Sequence, residues 1–212
     1  MSTDKVVIVE NLLHKFVQRQ METFIINNHT DLLWSYKHNA NYGGTLNELQ
    51  FCQHDPEIFP KRFGNLTHTV VDLDGTTSSV YPSLPDFKKV IETKFNVRIK
   101  QLVRSRINLT FPIGEVTTKY DTPHCDMFPP KGKSTYKSVV YYINESDGDT
   151  VFFDELADDY SSMDSSKKTL IQRISPKQGK AIMFDANRYH AGSFPSLNIR
   201  LVLNLNLILE DE

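Results

Sequence analysis

Apolar residues change their spacing near residue 99 of this chain. Before that point they recur at helical intervals in two stretches. Leu12, Leu13, Phe16, Val17, Met21, Phe24 and Ile25 fall every three to four residues, which predicts an amphipathic helix from Asn11 to Asn27. Its aromatic and Met stripe is core-facing rather than a cofactor box. Phe87, Val90, Ile91 and Phe95 predict a second helix over Asp86–Asn96. A β-branched run from Lys5 to Val9 reads as a strand. Residues 38–82 are rich in Asn, Gly, His, Asp and Pro and read as loops with short strands.

From Ile99 onward the pattern is that of strands, at 99–110, 116–126, 136–143, 149–153, 168–174, 180–185, 188–193 and 199–209. Eight short strands at this spacing predict a mainly β fold with N-terminal helices. The expected core is a double-stranded β-helix (jelly roll, cupin-like), with the helices covering one outer face. The last strand is the clearest. Ile199, Leu201, Leu203, Leu205 and Leu207 occupy one face, and Arg200, Val202, Asn204 and Asn206 the other. Such a strand needs an apolar cover on one side and a polar lumen on the other. A charge in a lumen is costly unless paired. Arg200 therefore holds a bound anion, meets a protein carboxylate, or reaches solvent at the strand end.

Composition narrows the class. At 212 residues one domain is expected, with 1–98 as helix-containing support and 99–212 as the jelly-roll core. Hydrophobic content of 39% suits a globular chain, and a net charge of −2 leaves no electrostatic footprint for nucleic acid. Cys52 and Cys125 are too few for a disulfide framework, which points to a reduced, intracellular setting. No apolar run is long enough to span a bilayer, and MSTDKVVIVE lacks a signal-peptide layout. A cytoplasmic location is the expectation.

Candidate chemistry enters with His124, Asp126 and His190. Two imidazoles and a carboxylate can occupy one face of an octahedral metal and leave the opposite face open. The local text is YDTPHCDMF and DANRYHAGSF. A second HxD, His29-Thr30-Asp31, follows Asn27-Asn28 at the end of the first helical pattern. That Asn-rich text reads as a helix stop, where side chains two apart do not share a side. His124 and Asp126 lie in predicted strand, where residues two apart do share a face and Cys125 points away. In Ser138–Asn144 alternation groups Ser138, Val140 and Tyr142 against Val139, Tyr141 and Ile143, without saying which group faces inward.

The HCD triplet, the YYIN strand, the GDTVFF segment, ISPKQGKAIMF, His190 and Arg200 occur in that order over Asn108–Leu209. In order and spacing they resemble the 2-oxoglutarate/Fe(II)-dependent dioxygenase superfamily, prolyl 4-hydroxylase-like branch. The VIVENLL start and RSRINLTF resemble uncharacterised members, phage-encoded ones included, for which the host cytoplasm is the implied location. The resemblance implies Fe(II) held by His124, Asp126 and His190, with 2-oxoglutarate and O2 as co-substrates and ascorbate as a candidate accessory. It implies Arg200 on the distal carboxylate of 2-oxoglutarate, assisted by Tyr142. Tyr120 resembles the tyrosine that precedes the family's HxD, one residue further away than usual. Where the family often has a hydroxyl two positions past the arginine, this chain has Val202. Family members that halogenate lack the acidic ligand, so Asp126 favours hydroxylation.

The substrate is expected to be an unidentified protein, through a side chain such as proline, or a small molecule, with no membrane partner. Met127–Lys137 is a Pro- and Lys-bearing loop that reads either as a lip or as solvated surface. From Glu145 to Asp164 there are eight acidic residues and no Lys or Arg, suited to a basic substrate or to water. Arg104, Arg106, Arg188 and Tyr189 are further substrate-contact candidates. Trp34 and Tyr36 either border the opening or pack in the core. Two other classes stand beside the oxygenase: a zinc hydrolase using the same three ligands, and a non-catalytic jelly-roll module. The hydrolase lacks a Glu beside its His ligands and gives Arg200 no role.

Overall fold

The computed structural model describes residues 6–28, 31–37, 65–116, 118–129, 135–157 and 168–211. Strand β1 (Val7–Val9) leads into helix α1 (Lys15–Asn27); β2 (Ser35–Lys37) and β3 (Asn65–Val71) precede helix α2 (Phe87–Phe95). Then come β4 (Ile99–Thr110), β5 (Tyr136–Tyr142), β6 (Thr150–Leu156), β7 (Leu170–Ile174), β8 (Ala181–Asp185), β9 (Arg188–Gly192) and β10 (Arg200–Leu209). All pairings are antiparallel. One sheet has the order β1-β8-β5-β10-β4-β3-β2 and the other β7-β6-β9, a jelly-roll-like pair. No described helix is long and apolar enough to cross a membrane.

The alternation of β10 sets the layers. Leu201, Leu203, Leu205 and Leu207 are each 3% exposed or less and share a core with Leu12, Met21, Ile25, Phe87 and Ile91 from the helical segments. Each such Leu contributes roughly 2 kcal/mol of burial. The opposite face of the large sheet meets the small one through Val140, Tyr142, Ile182, Phe184 and Val202 against Phe152 and Ile174. A third cluster, Val151, Phe153, Ala157, Tyr189 and Ala191, lies beyond the small sheet and is covered by Tyr120, Cys125 and Phe128.

Both helices match their patterns, with sharper ends. α1 begins at Lys15 rather than Asn11, because Asn11 is left-handed (φ 52°) and the His14 ring accepts the Phe16 N–H. α2 is capped by Asp86, whose carboxylate accepts from Lys89 N–H, and stops at left-handed Asn96. The strand expected over 116–126 does not form. Among its described residues only two isolated bridges occur, Tyr120 to Ser193 and His124 to His190. Pro123 has no N–H to donate, and Asp121 turns its carboxylate onto Thr122 N–H at 2.7 Å, so the ladder cannot continue. Conversely, β3 is seven residues long inside the stretch read as loops with short strands.

Candidate metal centre and anion pocket

One backbone pair brings the ligands together. His124 N–H donates to the His190 carbonyl at 2.9 Å, and His190 N–H returns the bond at 2.9 Å. Residues exchanging both bonds stand directly opposite, with side chains on a common face. The imidazole centroids are 4.4 Å apart. Asp126 is anchored by its N–H to the Ala186 carbonyl at 2.9 Å, and its Oδ2 lies 3.7 Å from His190 Nε2. One ligand atom from each of the three lies within 4.8 Å of the others. The i, i+2 geometry thus survives without a regular strand, and Cys125 faces away, its thiol directed at the Asn187 carbonyl at 3.1 Å.

The rings are pre-oriented. His124 Nδ1 lies 3.2 Å from the Thr122 carbonyl and His190 Nδ1 lies 3.0 Å from the Arg188 carbonyl. A carbonyl only accepts, so each Nδ1 carries the proton and each Nε2 keeps its lone pair for a metal. Asp126 Oδ2 accepts from Ser138 Oγ at 2.6 Å, and Asn204 Nδ2 is 3.3 Å from both carboxylate oxygens. Burial alone would raise the Asp126 pKa. The neighbouring His190, His124 and Arg104, with the Ser138 bond, outweigh it and hold the group down to about 2. His124 falls to about 3, chiefly because burial disfavours imidazolium and secondly through His190. An ionised carboxylate and a neutral His124 are the protonation states a divalent cation requires.

His124 and His190 line a cavity that Arg200, Thr150, Gly192 and Asn204 also line. Arg200 is 7% exposed. Its Nε donates to the Gly148 carbonyl at 2.8 Å and its Nη2 to Thr150 Oγ1 at 2.9 Å. Thr150 Oγ1 also accepts from Tyr142 Oη at 2.7 Å. With both acceptor positions used, the Thr150 proton is free to meet an incoming acceptor. Among the described residues no carboxylate forms an ion pair with Arg200, although Asp149 attracts it without reaching ion-pair distance. Burial pulls its pKa down, a cost that a bound anion would offset. The backbone hugs the Arg200 side chain: a Cβ on Gly192 would lie 3.5 Å from Nη1, and one on Gly148 would lie 3.0 Å from Cδ.

The two tyrosines part company. Tyr142 faces the cavity side, and burial pushes its hydroxyl up to about 12. Tyr141 lies in the helix-side core against Phe87, its buried hydroxyl without a hydrogen-bond partner among the described residues. Tyr120 is not among the residues lining the cavity. It packs edge-on to Phe153, centroids 5.3 Å apart, in the outer cluster. Arg188 and Tyr189 are buried, and Arg188 Nη1 donates to the Phe153 carbonyl at 2.9 Å. Trp34 packs against the helix-side core and His68. The described part of the acidic run works locally: Asp147 accepts from the backbone of Ser196 and Leu197, and Asp149 from Ser175. Residues 158–164 of that run, 130–134 of the Pro- and Lys-bearing loop, Cys52 and His29 lie outside the described residues. Asp31, the other half of the second HxD, closes a local turn with Asn28.

Sequence reasoning missed Thr150, Ser138 and Asn204 as supports. Alternation in GDTVFF, which puts Thr150 and Phe152 on one face, held the signal for Thr150. Thr150 places a hydroxyl against Arg200, whereas Val202 has none to offer.

No protein-family model and no curated protein sequence matches the chain. Solved structures do. A Pseudomonas putida prolyl-4-hydroxylase matches at TM-score 0.53 and 13% identity, over 99% of this chain and 95% of its own. A Trichoplax adhaerens prolyl hydroxylase, in complex with a hypoxia inducible factor oxygen degradation domain peptide, matches at TM-score 0.55 and 13% identity, over 97% and 84%. The epimerase SnoN, in complex with Fe3+, alpha ketoglutarate and nogalamycin RO, matches at TM-score 0.56 and 12% identity, over 97% and 79%. The fold is that of the 2-oxoglutarate/Fe(II) oxygenases.

Proposed function

We propose that this chain is an Fe(II)- and 2-oxoglutarate-dependent dioxygenase, one domain throughout, that hydroxylates a protein side chain such as proline, or a small molecule. The observation that carries the reading is the His124–Asp126–His190 ligand face, whose two imidazoles line one cavity with a buried Arg200 that pairs with no carboxylate among the described residues. A zinc hydrolase has use for the first but not for the second.

The donor set fits iron: two Nε2 lone pairs and one ionised carboxylate, with no protein atom required on the opposite face. When bound, iron and 2-oxoglutarate supply the O2 chemistry that oxidises a substrate C–H and yields succinate and CO2. The chain's own work is binding, orientation and exclusion of water. Thr122 and Arg188 carbonyls fix the imidazole tautomers. Ser138 and Asn204 fix the carboxylate. Arg200 and the Thr150 hydroxyl offer donors to the distal carboxylate of the co-substrate, and Tyr142 holds Thr150 in place. The inward apolar surface of Phe152, Phe184 and Val202 keeps the site dry. A peptide and nogalamycin RO bound to proteins of the same fold support keeping both substrate classes. The test is succinate formation from 2-oxoglutarate by the Fe(II)-loaded protein in air, across peptide and small-molecule panels. Turnover lost in Asp126→Ala is expected. Absence of succinate from folded, iron-bound protein under every panel member would reject the reading.

A further inference from the structure

Two arginines on the inner face of the large sheet have no part in the ligand set or in co-substrate binding. Arg104 and Arg106 occupy alternate positions of β4. Arg106 pairs across the sheet with Asn204 of β10 and Thr69 of β3, and Arg104 with Asn206. These rows face the metal site: Asn204 reaches Asp126, and Asn206 Oδ1 accepts from Arg104 Nε at 2.9 Å.

Their charges are poorly compensated. Arg104 Nη2 is 3.8 Å from Asp126 Oδ1, the carboxylate a metal would claim. A bound cation would leave both arginines facing net positive charge. Arg106 has less still. Among the described residues no hydrogen bond or ion pair reaches its guanidinium, and its Nε is buried without a partner. Burial and the like charge of Arg104 lower its pKa, while Asp72 and Asp126 attract it only at longer range. Arg200, by contrast, lies four residues from Asn204 along β10, about 13 Å away. The ligand face therefore sits between two cationic ends, of which one serves the 2-oxo acid.

We infer that Arg104 and Arg106 bind an oxyanion, a carboxylate or phosphate, carried by the prime substrate, and so hold its oxidisable C–H over the ligand face. The substrate role rests on the dioxygenase reading; the oxyanion site does not. Arg104 and Arg106 stand two residues apart on one strand face, which lets the remaining donors of their forks meet one compact anion. Desolvation beside Asn204 and Thr69 strengthens that contact over one made in open water.

Calorimetric titration of inorganic phosphate into Mn(II)- and 2-oxoglutarate-loaded protein reads the site without turnover, and a parallel acetate titration separates phosphate from carboxylate preference. Saturable binding is expected, weakened about tenfold or more in Arg106→Gln and partly restored in Arg106→Lys, with 2-oxoglutarate affinity unchanged. Arg104→Gln, in the same assay, decides the matter if the first variant fails to fold. Neither anion binding saturably, or both binding the Gln variants as tightly as wild type, overturns the site. So does a joint loss of oxyanion and 2-oxoglutarate affinity in Arg106→Gln, which would place Arg106 in the co-substrate pocket. Failure of wild type to bind 2-oxoglutarate at all rejects the dioxygenase reading instead. The oxyanion titration on Mn(II)-loaded protein then decides the site by itself.

Discussion

Replacing Arg200 by Ala removes a buried cation from the proposed co-substrate end while leaving every candidate metal ligand in place. Arg200 touches Gly148 and Thr150 but none of His124, Asp126 and His190. A charge-assisted hydrogen bond contributes roughly 1.5–3 kcal/mol, and a guanidinium–carboxylate pair makes one or two, so 2-oxoglutarate affinity should fall about 100-fold. Ligand-linked stability converts this into a melting assay. At 100 times its dissociation constant the co-substrate stabilises wild type by about 2.7 kcal/mol; at the same concentration a 100-fold weaker variant gains only about 0.4 kcal/mol. For a chain of this size that is a shift of about 5–10 °C against about 1–2 °C. Without co-substrate the variant should stay folded, because loss of an ion-pair-free buried charge offsets the two lost hydrogen bonds. The assay is thermal unfolding with Mn(II), with and without 2-oxoglutarate, alongside a direct Mn(II) titration. Equal co-substrate shifts in wild type and Arg200→Ala, with Mn(II) bound in both, would refute the reasoning.

Tyr142→Phe should weaken 2-oxoglutarate binding by up to about tenfold, since Thr150 loses the bond that holds it, whereas Tyr141→Phe should leave affinity unchanged. Tyr141→Phe should also raise stability by up to about 1 kcal/mol in chemical unfolding, because it deletes a buried hydroxyl that has no partner among the described residues. Ser138→Ala should lower Mn(II) affinity about 10- to 100-fold by titration, the usual effect of releasing a ligating carboxylate from its support. Asp121, beside the cavity, is raised to about 6 by burial. The sign follows: its folded pKa lies above the unfolded one, so the metal-free protein loses stability as pH rises from about 4 to about 6. Asp121→Asn should flatten that decline in urea unfolding, and an unaltered pH profile would remove Asp121 as its source.

Much of this arrangement was legible in the chain, for reasons that differ from element to element. The last strand announced its two faces because period-2 alternation of Leu against Arg and Asn is itself the constraint. Parity could not say whether Tyr141 or Tyr142 faced inward, since alternation groups residues without orienting the group. The answer came from packing: Tyr141 meets Phe87 of α2 and Tyr142 meets Thr150 of the small sheet. Residues 116–126 carry Val, Thr and Tyr and so resemble a strand, yet Pro123 and the Asp121 side chain limit it to single bridges. The ligand geometry survived because one bridge, His124 to His190, is enough to set two imidazoles side by side. β3 was hidden in Asn- and Gly-rich surroundings, and its inner face depends on pairing with β4. The supports Ser138, Thr150 and Asn204 are ordinary polar residues that acquire roles only through long-range pairing.

The central claim is that one cavity binds Fe(II) and 2-oxoglutarate together, and an anaerobic titration tests it most directly. Fe(II) is added first and 2-oxoglutarate second, with the visible spectrum followed throughout. The account predicts a metal-to-ligand charge-transfer band that appears only with both present and saturates at one equivalent of each. A folded, iron-bound protein that develops no such band on addition of 2-oxoglutarate would contradict it.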